Sequence, residues 1–310
     1  MKRIITILAV LIMLLAITAC SENAIEVYKI ANQNTEELNS GKTKTTVIVN
    51  NQFEKSNLEP DQIEELENLK NIEFSATISF NNDENISETN LYYKYGNVGY
   101  DFLIYSLEER VYIKFPMQSK FVDFSTFTTN FDENEIEKSF NQEIFSLIND
   151  KWLEMLEKDN VVRGNKSVME TEDGDVKVTE YAIEPSQDQL FVFLYDVVQI
   201  LNDNKDSLEY FIEFDQEQPL ELYVEDIMNE IENVSFSYRA YIDIDNYLVN
   251  ESIKLHFELN DVKTDVSIDI DYWDNNKDQN IQLPNFNEDN LIDFDNLDDE
   301  YKFEFGRVGE

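Results

Sequence analysis

The sequence predicts an α+β protein in which helices pack against one face of a large antiparallel sheet. Three observations predict it: long stretches alternate apolar and polar residues, two central segments switch to helical spacing, and the elements run strands, helix, hairpin, helix, strands. The 310 residues are 42% hydrophobic and 13% aromatic, enough for a sizeable core despite 65 Asp+Glu against 24 Lys+Arg and a net charge of −41. That charge excludes nucleic acid as a partner, because phosphate recognition draws its affinity from clustered cations. With 7 Gly, 1 Cys and 1 His, the chain also lacks the parts for a glycine-rich phosphate loop, a disulfide framework or a multi-histidine metal site.

Ile25, Tyr28, Ala31, Thr35 and Leu38 stand at helical spacing, which predicts a short first helix, or a tether that turns helical on docking, within a segment 20–42. A β-rich strand follows from Thr43 to Phe53, and Pro60 marks the start of a short helix over Glu59 to Lys70. Phe74, Ala76, Ile78 and Phe80 alternate with polar residues, Leu91, Tyr93 and Tyr95 alternate on the return, and Gly96-Asn97 reverses the chain into Val98, Tyr100 and Phe102. Val111 to Phe115 and Phe121 to Phe127 extend this meander. Ile136 to Leu156 carries a helical stripe with Trp152 beside it. A hairpin of Val168 to Glu172 and Val176 to Ile183 is expected to close on Asp173-Gly174 as a type I′ pair. Gln189 to Leu201 predicts a helix buried on most of its surface, and Leu220 to Ile231 a further one. Val234 to Ile244, Val249 to Leu259 and Val262 to Tyr272 alternate again, with Lys263, Asp265, Ser267, Asp269 and Asp271 on a wet face. The sheet domain is expected to span 43–290, followed by a loose acidic tail, 291–310, in which Leu291, Phe294 and Leu297 are candidate anchors.

The amino terminus predicts an address. Lys2-Arg3 precedes a run from Ile4 to Ala19 broken only by Thr6 and Thr18. This run is shorter than the about 20 residues a membrane span needs and fits a signal peptide, 1–19. Ile17-Thr18-Ala19-Cys20 resembles a bacterial lipobox, which implies a diacylglycerol on the Cys20 thiol, cleavage before it, and anchoring on the extracytoplasmic face of the cell membrane. The other readings are an ordinary signal peptide and a short anchor helix with an incidental cysteine.

Enzymatic parts are scarce. There is no Gly-x-Ser-x-Gly elbow, and the one thiol is taken by the expected anchor. His256 shares parity with Lys254 and Glu258 and belongs on the polar face. Asp243 to Asn246 and Asp269 to Asp274 superficially look like calcium loops but lack the sixth-position glycine and terminal glutamate. No catalytic residue, cofactor or metal is predicted.

The aromatics carry more information, because they fall mainly on alternating strands and so build one broad apolar sheet face. Two arrangements satisfy this pattern: helices cover the face in a plain core, or the sheet curves around them and leaves a hydrophobic cleft. In the second, the lining set is Phe74, Ile78, Phe236, Tyr238, Leu255, Phe257, Val266, Ile268 and Ile270 from the sheet, with Phe191 and Leu194 from the helix side.

Several of these segments together resemble bacterial lipoproteins of the LolA, LppX and LprG type. The resembling features are the lipobox, Leu91 to Phe102 with its Tyr-Gly-Asn reversal, the Trp152 helix, the Val176 to Pro185 strand leading into the Gln189 to Leu201 helix, and the closing series Tyr238 to Val249, Val266 to Trp273 and Ile281 to Pro284. The resemblance covers residues 43 to 290 and, in composition, leans toward Gram-positive members of unknown ligand. It implies a half-open barrel, a curved antiparallel sheet wrapped around helices, with an apolar cavity that in some members carries lipids or acyl chains. The implied function is a membrane-tethered, non-enzymatic lipoprotein binding a hydrophobic ligand. The alternative is a structural or interaction lipoprotein with a closed core and an acidic surface contacting cell wall, divalent cations or a protein partner.

Overall fold

A computed structural model describes residues 23–53, 66–108, 110–124, 140–204, 230–259, 262–287 and 289–293. The signal peptide, Cys20, most of the Glu59 to Lys70 helix, residues 220–229, Phe127, Ile136, Phe294 and Leu297 lie outside the described residues.

Twelve strands form one curved, open sheet. They are β1 (Ser40–Gln52), β2 (Asn71–Asn81), β3 (Ile86–Tyr95), β4 (Val98–Leu107), β5 (Arg110–Lys114), β6 (Phe121–Asp123), β7 (Val161–Thr171), β8 (Gly174–Ile183), β9 (Ile231–Asp243), β10 (Leu248–Leu259), β11 (Val262–Trp273) and β12 (Leu291–Asp293). Their order is β12-β6-β5-β4-β3-β2-β1-β11-β10-β9-β8-β7, antiparallel throughout except for β12 beside β6. The α+β class is therefore as expected, with the sheet left open rather than closed into a barrel. The amino-terminal and carboxy-terminal meanders meet along β1 and β11, from Lys42 opposite Trp273 to Gln52 opposite Lys263.

Residues directly opposite across antiparallel strands share a face, so the registers can be followed as continuous rungs. One rung runs through nine strands: Val161, Ile183, Tyr238, Ile253, Ile268, Val47, Phe74, Tyr93 and Tyr100. Every member is apolar or aromatic, which is the consequence of period-two patterning kept in register.

Helices α1 (Ala24–Glu36), α2 (Phe140–Met155) and α3 (Gln187–Asp203) complete the fold. Ile25, Tyr28 and Ala31, spaced to fall on one side of α1, are buried against Tyr181, Ile183, Ala240, Ile242 and Leu248. The segment 24–36 is thus part of the core rather than a tether. α3 starts on a capping box between Ser186 and Gln189. It packs on α2 rather than lying flat on the sheet. The expectation that α3 is buried on most of its surface is therefore corrected: Val198 is buried, whereas Val192, Leu194 and Tyr195 are exposed.

Two further expectations change. The β7–β8 loop is Glu172-Asp173, since Thr171 pairs with Gly174, and neither loop residue has positive φ. Gly174, at φ +98°, takes the left-handed position just after the loop, so the Asp173-Gly174 pair is not a type I′ turn. Of the tail expected to be loose, Leu291–Asp293 is docked as β12, with Phe286 packed just before it. Phe286 stacks on Tyr112 with ring centroids 3.9 Å apart and meets Phe121 edge-on at 5.4 Å. β12 then places Leu291 with this outer cluster and Ile292 with Phe115 and Val122 on the helix-bearing face. A short alternating strand can serve both faces because successive side chains point oppositely.

Candidate ligand-binding site

Burial changes along the nine-strand rung. Val161, Ile183 and Tyr238 are 4%, 0% and 5% exposed under the helices, whereas Phe74 and Tyr100 at the other end are 36% and 41% exposed. The helix-bearing face is thus sealed over β7 to β9 and open over β2 to β4. Val98, one rung further, is 52% exposed on the same open end.

The seal is a buried polar chain set among aromatic rings. Tyr238 donates its hydroxyl hydrogen to Glu251 Oε1, and Tyr272 donates to Glu251 Oε2 at 2.6 Å. Having given its one proton away, Tyr238 must accept from Tyr28, whose hydroxyl is 2.8 Å distant. Tyr28 in turn accepts from Trp152 Nε1–H at 3.0 Å. Every proton points toward the carboxylate, a directed series in which each bond polarises the next. Trp152 lies 5.6 Å from the Tyr238 ring and 5.3 Å from Phe193 of α3.

Burial pushes the Glu251 carboxyl upward, against the lowering effect of its two tyrosine donors. Burial and the neighbouring Glu251 charge push Tyr28, Tyr238 and Tyr272 up as well. Glu251 is the acid that sequence patterning missed. Its signal was available, because it shares parity with Ile253, Leu255 and Phe257 on the apolar face of β10. With both oxygens occupied and 6% exposure, it fastens helices to sheet and is not presented to a substrate.

Two cavities flank α1. One, of about 440 Å³, lies between α1 and α2, floored by Leu248 and Tyr272 and walled by Thr35, Asn149 and Phe145. Phe145 is 65% exposed at its mouth. Asn149 bridges the helices by donating to Asn32 Oδ1 at 2.9 Å and Glu36 Oε2 at 3.1 Å. The other, of about 480 Å³, lies on the opposite side of α1 against the β7–β8 hairpin.

The registers bring eight of the nine predicted sheet residues directly onto one face: Phe74, Ile78, Phe236, Tyr238, Leu255, Val266, Ile268 and Ile270. Phe257, opposite Thr264, continues it. They do not share one environment. Phe74 is at the open end, Ile78, Leu255, Phe257, Val266, Ile268 and Ile270 are half-buried along the wall, and Tyr238 is enclosed by Tyr28 and Trp152. Phe236 packs beside Tyr238 at 6.5 Å, edge-on. On α3, Phe191 is half-buried and Leu194 is exposed. None of the eleven borders either cavity.

The acidic stretches have structural roles. Asp243 Oδ1 accepts from the backbone N–H groups of Asp245 and Tyr247, closing the β9–β10 turn. Asp274 is paired with Lys42 at 2.9 Å and Lys277 at 3.1 Å. Lys42 holds its carboxyl down at about 2, with help from Lys277. Lys277 also reaches Asp173 at 2.9 Å and so ties the tip of the β7–β8 hairpin to the end of β11. His256 faces outward against Asp265, its Nδ1 2.9 Å from Oδ1. Among the described residues, no group of three His, Cys, Asp or Glu is placed to hold a metal.

No family model matches the sequence, and no curated protein matches it. Similar solved structures include an uncharacterised conserved protein from Thermus thermophilus, at 8% identity and a TM-score of 0.26, covering 88% of this chain and 99% of that one. A DUF1329 family protein from Desulfovibrio piger is 9% identical with a TM-score of 0.22, covering 87% and 99%. A LolA superfamily protein from Nitrosomonas europaea is 6% identical with a TM-score of 0.20, also covering 87% and 99%. Likeness at this level assigns no family or ligand, and the fold description rests on strand order and register.

Proposed function

We propose that this protein is a non-enzymatic lipoprotein, anchored through Cys20 on the extracytoplasmic face of the cell membrane, that binds a hydrophobic, lipid-like ligand on the open end of its helix-bearing sheet face. The observation carrying this reading is the gradient along a single rung, sealed at Tyr238 and open at Phe74 and Tyr100. A soluble sheet that only needed a core would cover or polarise that end, because contiguous exposed apolar surface favours association. The sealed half gives the wall a rigid backing, and the half-buried Ile78, Val266, Ile268 and Ile270 continue it.

Native mass spectrometry on protein extracted from its own membranes tests the ligand. The expected result is a co-purifying apolar adduct, lost when Phe74 and Tyr100 are both changed to Asp. Repeated preparations without an adduct, together with failure to bind a fluorescent apolar probe, would refute it. Cys20→Ala tests the anchor separately and is expected to move the protein from the membrane to the soluble fraction.

A further inference from the structure

The cavity between α1 and the β7–β8 hairpin concentrates positive charge in a chain that has little. Arg163, Lys166 and Lys177 border it, three of the chain's 24 cations. Strand pairing explains their convergence. Arg163 stands opposite Tyr181, Lys166 opposite Thr179, and Lys177 opposite Val168. Arg163 and Lys166 are three residues apart, a spacing that puts side chains on opposite faces of a regular strand. The register shift between them inserts a bulge containing Gly164 and Asn165, which returns both to the face bearing Tyr181. A Cβ at Gly164 would lie 3.2 Å from the Glu180 side chain, so the bulge is built around a glycine.

The cavity is amphipathic. Its floor is Tyr181 and Ile242, both buried, and its wall toward α1 is Val27. Thr179, opposite Lys166, adds a hydroxyl donor beside the lysines. The one bordering acid is Asp243, whose Oδ1 is taken by two backbone N–H groups. The hairpin's Glu170 and Asp175 lie beyond the cavity toward the tip, and Glu180 pairs with Arg239. Among the described residues, neither Lys166 nor Lys177 has an ion-pair partner.

We infer that this cavity binds an anionic amphiphile, its phosphate or carboxylate head held by Lys166 and Lys177 beside Arg163, and the first part of its chain laid against Tyr181 and Ile242. The charge complementarity is local, since the net charge of −41 otherwise repels an anion. The inference deepens the hydrophobic-ligand reading by naming the head group, but it concerns a cavity separate from the open wall.

Isothermal titration of the purified protein with four probes tests it: dodecyl phosphate, laurate, uncharged monolaurin of the same chain length, and inorganic phosphate, all below micellar concentration. Dodecyl phosphate and laurate are expected to bind at least tenfold more tightly than monolaurin, with inorganic phosphate weaker than either. Lys166→Glu combined with Lys177→Glu is expected to abolish that preference while leaving monolaurin affinity unchanged. Because charge reversal can disturb a hairpin, the milder Lys166→Gln/Lys177→Gln pair is measured beside it, and protection of both lysines from acetylation by laurate is read on the unmodified protein. Equal binding of charged and uncharged probes overturns the inference and leaves the hydrophobic-ligand reading standing. Inorganic phosphate binding as tightly as dodecyl phosphate overturns it in favour of a free oxyanion. Lysine-dependent binding of dodecyl phosphate, with no probe binding that Phe74 and Tyr100 substitutions affect, upholds it and overturns the other reading.

Discussion

Tyr28→Phe removes one oxygen from the middle of the buried chain and keeps the ring. Trp152 Nε1–H then loses the acceptor it holds at 3.0 Å, and Tyr238 loses the donor at 2.8 Å. Tyr28 is 0% exposed, so water has no ready access to replace the oxygen. A buried donor left unpaired costs about 1–3 kcal/mol, and the lost hydroxyl bond to Tyr238 adds about 0.5–1 kcal/mol. The void is a single oxygen, so the cavity contribution is small beside these. A total of roughly 1.5–4 kcal/mol corresponds to a fall in Tm of about 2–6 °C for a chain of this size. Thermal unfolding followed by near-ultraviolet circular dichroism reads the loss at the aromatic bands. A double-mutant cycle with Trp152→Phe isolates the pair, with a coupling of at least about 1 kcal/mol expected. A Tm shift below about 1 °C with additive single effects would mean that the hydroxyl does not join helix to sheet, and the directed chain would have to be abandoned.

Glu251→Gln tests the same node through pH. Because burial raises the folded carboxyl above 4.5, the native state holds its proton more tightly than the unfolded chain, and stability is lost as pH rises from that value through the raised one. The variant lacks that loss, so its stability relative to the parent increases as pH rises above 4.5; urea curves whose difference does not change with pH would refute this. Asp274 has the opposite sign: its contribution is present above 3.8 and disappears as pH falls toward about 2. Asp274→Asn is expected to remove that low-pH transition from the NMR signals of the hairpin tip. Phe286→Ala is expected to destabilise by about 2–4 kcal/mol in urea unfolding, since it strips the ring stacked on Tyr112; a change within about 0.5 kcal/mol would mean that the carboxy-terminal segment adds nothing to the outer cluster.

Alternation was the most legible feature. Period-two patterning placed Phe236, Tyr238, Leu255, Val266, Ile268 and Ile270 on one face, and Ile25, Tyr28 and Ala31 marked a helix side, because both repeats are local and each is tied to burial. Relations between distant segments were not legible. Nothing local distinguishes Tyr238, which is sealed, from Phe74, which is not, because the difference is set by where α1 and α2 come to rest. The bulge at Gly164 and Asn165 was missed because bulges appear as a change of pairing, which no single strand displays. Leu291 stood out as a candidate anchor, whereas the docking of Phe286 was hidden by the polar residues around it, although a few well-placed rings suffice to hold a polar segment. Glu251 was overlooked among 65 acids, where only its parity separated it from the rest.

The seam between β1 and β11 also constrains how the molecule comes to be assembled. Lys42 must find Trp273 across most of the polypeptide, and closing so large a loop is slow compared with forming the hairpins on either side. Until that seam closes, β1 and β11 each carry a row of unsatisfied backbone groups along one border, the kind of border that recruits other chains. A net charge of −41 keeps such half-built molecules apart by mutual repulsion. The abundance of acidic side chains, which no binding site here requires, has a use in the interval before the last strands arrive.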